Sequence, residues 1–281
     1  PAPRPSRDAG STRPGVRKCG HCRKPFTVKV GTIFESSHVP LHLWLQAIFL
    51  LSSSKKGISS NQLHRTLGVT LKTAWFMSHR IREAMRDGKL GPLGGEGRIV
   101  EADETYFGNV KVRAESASRK GRPFVKRGLN GPAGKRAVLG LVERGGTVRT
   151  FHVAQATKVN VAELVTANVA RESKLYTDES LLYTEVGKAF ADHQTVKHSA
   201  GEYVRGEIHS NTIESYFSVF KRGMRGTYQH CAEKHLHRYL AEFDFRHNRR
   251  SALGVDDAAR ANHILTGIVG KRLTYETTRA R

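Results

Sequence analysis

Apolar residues recur at helical spacing between residues 40 and 88, and beyond a glycine-rich break they fall into short runs separated by helical stretches. From about Leu41 to Ser54, the positions Leu43, Trp44, Ala47, Ile48 and Leu51 share one side, which predicts a packing helix. Lys55, Lys56 and Gly57 interrupt the pattern. In the following ISSNQLHRTLGVTLKTAWFMSHRIREAM, Ser59 or Ser60 caps a short helix holding Leu63 and Leu67, and Gly68 closes it. Thr70 then caps a longer helix holding Ala74, Met77, Ile81 and Met85. The stretch GKLGPLGGEG, residues 88–97, predicts a linker and a domain boundary. After it, GRIVEAD is a short apolar strand ending in acid. RAVLGLVER and TVRTFHVA make a hairpin across Gly145 and Gly146, NVAELVTANVA is a helix, and KLYTD is another strand. A loop to about Gly206 precedes two helices, roughly 211–222 and 232–247.

Three strands, a helix, a strand and a helix in that order predict a ribonuclease-H-like α/β core over residues 97–281. Upstream, residues 37–90 read as a helix-turn-helix domain, with an ordinary helical hairpin as the alternative. Residues 19–36 read as a partial zinc ribbon: Cys19-x-x-Cys22 forms a knuckle, and Phe26, Val28 and Val30 alternate as a strand. A tetrahedral zinc site needs four ligands and the chain has no second pair. The start at Pro1 rather than Met suggests a processed or truncated beginning, with the other pair upstream; two free thiols are the alternative. Residues 1–18, rich in Pro, Arg, Ser and Gly, read as a mobile basic arm.

Charge narrows the function. With 47 Lys plus Arg against 25 Asp plus Glu, the 281-residue chain carries +22 and favours a polyanion. No long basic amphipathic helix supports a membrane surface, and the longest apolar stretch, Leu43 to Leu51, is about half of a bilayer span. Double-stranded DNA and no membrane is therefore the expected partnership. Three cysteines make no disulfide framework and fit a reducing cytosol. With this charge, Lys72 and Thr73 of a second helix lying in the major groove, with the nearby Arg65, become base readers or phosphate contacts. Residues 111–136 carry nine Lys or Arg, among them Arg119, Lys120, Arg122, Lys126 and Arg127, against the single Glu115. Such a loop reads as a clamp on DNA, or equally as a solvated insertion.

Asp103 and Asp178 each end an apolar strand, where a carboxylate is held rigidly enough to ligate a divalent ion. Solvated acids at strand ends are common, so two aspartates alone decide little. In HSNTIESYFSVFKRGMRG, Ile213, Tyr216, Phe217 and Phe220 form a buried side, while Asn211, Glu214, Ser218 and Lys221 share another face. Glu214 can then point at the aspartates, and Lys221, two turns on, at a DNA phosphate; a surface salt-bridge helix is the alternative. Lys221, Arg222 and Arg225 form a second basic group with RHNRR, residues 246–250.

IVEADETYFG, YTDES and HSNTIESYFSVFKRGMRGTYQH, followed by HLHRYLAEFDFRHNRR, resemble the DDE-type transposases of a bacterial insertion-sequence family related to the eukaryotic Merlin elements. VGTIFESS, LHLWLQAIFLL and GISSNQLHRTLGVTLKTAW also resemble that family's N-terminal region, so the likeness covers nearly the whole chain. Asp103 and Asp178 are 75 residues apart, and Glu214 lies 36 further on. The resemblance implies a bacterial, cytoplasmic, nucleoid-associated transposase that binds terminal inverted repeats, cleaves at the transposon ends and joins them to target DNA. It implies two Mg²⁺ or Mn²⁺ ions on Asp103, Asp178 and Glu214 and a homodimer or higher homo-oligomer on DNA, while the knuckle reading puts Zn²⁺ on Cys19 and Cys22. In some of these transposases the third acidic position is Asn, which brings in Asn211; Glu214 is preferred because a charged carboxylate balances a dication better. A ribonuclease-H-like structural nuclease and a domesticated, non-catalytic DNA-binding regulator are the other readings.

Overall fold

In the computed structural model the described residues are 15–88, 90–108, 115–116, 119–123 and 135–274. The strands are β1 (Arg17–Lys18), β2 (Pro25–Phe26), β3 (Ile99–Phe107), β4 (Glu115–Ser116), β5 (Arg119–Pro123), β6 (Arg136–Glu143), β7 (Val148–Val153), β8 (Lys174–Asp178) and β9 (Asp192–Val196). The helices are α1 (Leu41–Ser53), α2 (Ser60–Leu67), α3 (Leu71–Met85), α4 (Lys158–Asn168), α5 (Asn211–Gly223), α6 (Leu236–Asn248) and α7 (Asp257–Thr266). They belong to two compact units. One takes its described residues from Pro1–Ser54, Ser59–Arg86 and Asp257–Arg281, and the other comprises Lys55–Ile58 and Asp87–Asp256.

The helical unit forms where the apolar spacing places it. Trp44, Ala47, Ile48 and Leu51 of α1, Leu63 of α2, and Ala74, Met77 and Ile81 of α3 are buried. The α2–α3 turn follows from local chemistry. Ser59 Oγ accepts from Gln62 N at 3.1 Å, and Thr70 Oγ1 from Thr73 N at 3.2 Å. Gly68 sits at φ +66° and returns its N–H to His64 O, a left-handed helix end that a side chain would strain. Helix α7 completes this unit: it packs on α1 and α3, Ile264 is buried, and Arg260 Nη1 donates to Ser52 O at 3.1 Å.

The second unit is mixed α/β. Its five-stranded sheet has the order β7-β6-β3-β8-β9; β7, β6 and β3 are antiparallel neighbours, and β3, β8 and β9 run parallel. One face buries Val100, Ala102, Leu139, Leu141 and Leu175 against Val161 and Val165 of α4 and against Tyr183. The other buries Val138 and Val142 against Ile213, Phe217 and Phe220 of α5 and Leu240 and Phe243 of α6. The outer strand β7 is covered by α6: Asn248 bonds both the N–H and the C=O of Val148, as a further strand would.

Several expectations need correction. The strand predicted through Phe26, Val28 and Val30 stops at Phe26, and Val28 and Val30 stand 65% and 58% exposed, because two-residue β1 gives β2 nothing longer to pair with. Arg17 and Lys18, assigned to the basic arm, form β1; residues 1–14 of that arm lie outside the described residues. The loop predicted up to Gly206 contains β9, whose polar DHQTV lacks an apolar run but still pairs along β8. The glycine-rich stretch is partly packed: Leu93 is buried and pairs with Val169, and Gly94 N donates to Glu143 Oε2 at 3.0 Å. Among the described residues no helix is long and apolar enough to cross a membrane.

Candidate active site

Strands β3 and β8 run parallel in the register Ala102↔Thr177, so the next residues of each, Asp103 and Asp178, emerge side by side where β8 ends. β3 continues to Phe107 with only β6 alongside. The oxygens of Asp103, Asp178 and Glu104 lie within 4.8 Å of one another. Glu104 is fastened by the Tyr183 hydroxyl (2.8 Å) and Ser180 Oγ (3.2 Å), while Asp178 Oδ1 accepts from Ser180 N at 3.0 Å.

Bringing three carboxylates together out of water disfavours their charged forms. Burial first, then the charges of Asp178, Glu104 and Glu214, push Asp103 well above the usual carboxylate range. Asp178 is raised chiefly by burial with Glu179 and Glu214 adding repulsion, and Glu104 by burial with Asp178 adding to it. Tyr106 and Tyr183 are pushed up by burial and by these same acids. An all-oxygen donor set with surplus negative charge fits a hard divalent cation.

Helix α5 lies over this end of the sheet because Asp103 pairs with Gly140 in β6. A Cβ at Gly140 would meet Ile213 Cδ1 and Phe217 Cζ at 2.7 Å, so glycine admits the helix. Glu214, in the first turn, accepts from Ser210 Oγ at 2.7 Å and lies 3.6 Å from His198 Nε2. It stays outside the 4.8 Å cluster, although its charge acts on both aspartates; Glu104 is the third carboxylate that the structure brings close. Asn211 is exposed at the first position of α5. Burial lowers the half-buried Lys221, with Asp103 pulling it back up and Arg225 and Lys135 lowering it further.

Glu101 is fully buried on β3, two residues before Asp103 and so on the same face. Its Oε2 accepts from Thr212 N (2.9 Å) and Ile213 N (3.1 Å), and its Oε1 from Thr212 Oγ1 (2.9 Å). Arg144 donates to Oε1 from Nε (3.0 Å) and Nη2 (2.8 Å), and also reaches Glu207 O and His209 O just before α5. Sequence reasoning missed Glu101 and Glu104. A signal for Glu101 existed: an acid between Val100 and Ala102, in a strand apolar on both faces, needs a partner. Glu104 gave no such signal: alternation puts it on the face opposite Asp103, and it reaches the aspartates because β3 runs on past the end of β8.

The predicted DNA contacts separate. Arg65 and Lys72 are exposed and Thr73 half-buried in the helical unit, with the Thr73 and Thr70 hydroxyls 2.8 Å apart. In the sheet unit, Arg222 is exposed on α5 and Arg225 on the π-helical turn Met224–Tyr228 that follows. Arg119, Lys120 and Arg122 fall on β5, with side chains outside the described residues, as are Lys126 and Arg127 altogether. Cys19 and Cys22 bracket a turn closed by Cys19 N to Lys24 O and Arg23 N to Cys19 O, both 3.0 Å. Hydrogen bonds from Cys22 and His21 lower the Cys19 thiol. Among the described residues no third ligand group joins them, so these two sulfurs do not by themselves make a zinc site.

A mixed sheet whose carboxylates converge where one of two adjacent parallel strands ends, beside a helix bearing Glu and Lys, is compatible with a DNA-processing enzyme of the transposase class. Residues 92–248 match the family described as the ISXO2-like transposase domain, and the chain belongs to that family. A relative from Halobacterium salinarum, described as an uncharacterized protein in transposable element ISH50, is 30% identical over 232 residues, covering 81% of this chain and 76% of its own. Similar solved structures include the Mos1 strand transfer complex (13% identity, TM-score 0.31) and a Mos1 transposase paired-end complex with left transposon end (12%, TM-score 0.33). Each covers 83% of this chain and 77% of its own, a likeness too distant to carry an argument.

Proposed function

We propose that the chain is a DNA transposase that binds terminal inverted repeats and carries out metal-dependent strand cleavage and strand transfer on a ribonuclease-H-like core. The observation that carries this reading is the convergence of Asp103 and Glu104 of β3 with Asp178 at the end of β8, under the helix bearing Glu214 and Lys221. In the first reaction water adds to phosphorus at a transposon end, and the bond to the 3′ oxygen breaks, releasing a 3′-hydroxyl. In the second, that hydroxyl attacks a target phosphodiester, whose own bridging oxygen leaves and takes up the proton. Two Mg²⁺ or Mn²⁺ ions, held by Asp103 and Asp178 with Glu104, Glu214 or Asn211 as further ligand, would supply charge stabilisation at the attacking and leaving oxygens. Lys221, whose charge Asp103 favours, holds a phosphate beside the cut, and Arg222 and Arg225 extend that grip along the backbone. Helices α2 and α3 would read the repeat through Arg65, Lys72 and Thr73. Double-stranded DNA is then the partner, on a homodimer or higher assembly at the nucleoid of a bacterial cytoplasm.

The test uses the full chain with labelled DNA carrying the repeats that flank its reading frame, in Mn²⁺ or Mg²⁺. Metal-dependent nicking and joined products are expected, falling by about a hundredfold or more in Asp103→Ala and Asp178→Ala. Cleavage that survives either substitution overturns the assignment of the site. Nicking without joined products identifies a nuclease, and repeat binding without metal-dependent nicking a regulator. Glu104→Ala, Asn211→Ala and Glu214→Ala compared side by side identify the third ligand.

A further inference from the structure

Helix α5 lacks the cap its sequence offers. Ser210 stands at its N-cap, where a serine hydroxyl ordinarily accepts from the second or third backbone N–H of the helix, here Thr212 and Ile213. It makes no such bond, and instead donates its hydroxyl to Glu214 Oε1 at 2.7 Å. Both amides go to Glu101 Oε2, a carboxylate from a strand 111 residues earlier, at 2.9 and 3.1 Å. Glu101 has no exposed surface, its other oxygen is engaged by Arg144 and by the Thr212 hydroxyl, and a negative charge suits the positive end of a helix.

We propose that Glu101, backed by Arg144, is a positioning residue that caps α5 from the strand carrying Asp103 and releases the Ser210 hydroxyl to hold Glu214. The exchange of caps does two things at once. Strand β3 carries Asp103 and Glu101 two residues apart on one face, so the helix is fixed to the same rigid segment that presents the first aspartate. Arg144 fastens the approach to the helix as well, through Glu207 O and His209 O at 2.8 and 3.2 Å. With the local cap relieved of its usual duty, the Ser210 hydroxyl fixes Glu214 Oε1, 3.6 Å from His198 Nε2. Its role at the site rests on the transposase reading; the exchange of caps does not.

Hydrogen exchange read at single amides, with the full chain, tests the cap directly. In the isosteric Glu101→Gln, exchange at Thr212 and Ile213 should accelerate at least about tenfold while α4 and α6 keep their protection. In Ser210→Ala both amides should keep wild-type protection. Loss of their protection in Ser210→Ala, unchanged protection in Glu101→Gln, or a loss spread evenly over the sheet overturns the cap; Ser210→Ala decides alone if Glu101→Gln does not fold. Cleavage of repeat-ended DNA tests the coupling. Glu101→Gln should cost about tenfold to a hundredfold in wild type and far less in a Glu214→Gln background, since the residue acts through what it positions. Equal costs in both backgrounds overturn the role while leaving the transposase reading intact, whereas a wild type without cleavage sinks that reading and leaves the exchange result to judge the cap.

Discussion

Gly140 is the cheapest place to move α5 without touching a carboxylate. In Gly140→Ala the new methyl would sit 2.7 Å from Ile213 Cδ1 and Phe217 Cζ, so α5 must retreat by about 0.7 Å to reach ordinary contact. Neither neighbour can swing away, because Ile213 and Phe217 are buried between the helix and the sheet. Overpacking of this kind costs about 1–3 kcal/mol, and alanine's smaller unfolded-state entropy returns about 0.4–1, leaving a net loss near 1–2 kcal/mol. For a chain of this size that lowers Tm by about 2–8 °C, read by scanning calorimetry. Cleavage should fall more than stability suggests, by about tenfold or more, because the helix carries Glu214 and Lys221 across from Asp103. Adding Ile213→Val removes one of the two obstructing atoms and should recover part of both losses. A Gly140→Ala protein that melts within about 1 °C of wild type and cleaves normally would refute the claim that glycine admits the helix.

Two further outcomes concern α6. Burial pushes Asp244 up to about 7 and His247 down to about 4. The folded state holds an extra proton on Asp244 between the ordinary carboxylate value and 7, so this group's contribution to stability declines as pH rises through that window. His247 is the opposite case: its folded pKa is depressed, and stability is lost as pH falls below the ordinary histidine value toward 4. The two slopes oppose one another at pH 4–6.5, each on the order of 1 kcal/mol per pH unit. Relative to wild type, Asp244→Asn should therefore gain stability with rising pH there, and His247→Gln should lose it, by urea titration at each pH; parallel curves would contradict the assignment. Separately, Glu242→Ala leaves the buried Arg246 without its carboxylate and should cost about 3–5 kcal/mol, whereas a loss below 1 would mean that the pair is idle.

What could be read from the residues was local. The helix boundaries of α2 and α3 follow from Ser59, Gly68 and Thr70, whose effects reach three or four residues. The end of β8 follows from an apolar run stopping at Asp178, whereas β3, expected to stop at Asp103, runs on to Phe107 because β6 pairs with it that far. What escaped depends on distant partners: β9 is a strand only because β8 lies beside it, and Glu101 caps a helix more than a hundred residues away. Glu214 shares its helical face with Lys221 as the spacing predicts, but spacing could not foresee that Glu104 would reach the aspartates more closely.

The helical unit is stitched from segments on either side of the sheet unit, since α7 packs on α1 and α3 and Arg260 bonds Ser52 O. During synthesis, α1 to α3 emerge ahead of the sheet segment Asp87–Asp256 but lack α7 until that segment has been made, a delay on the order of ten seconds or more at ribosomal speed. The sheet unit can close while the helices still wait for their last piece. A chain released before α7 carries a finished sheet unit and an unfinished helical one.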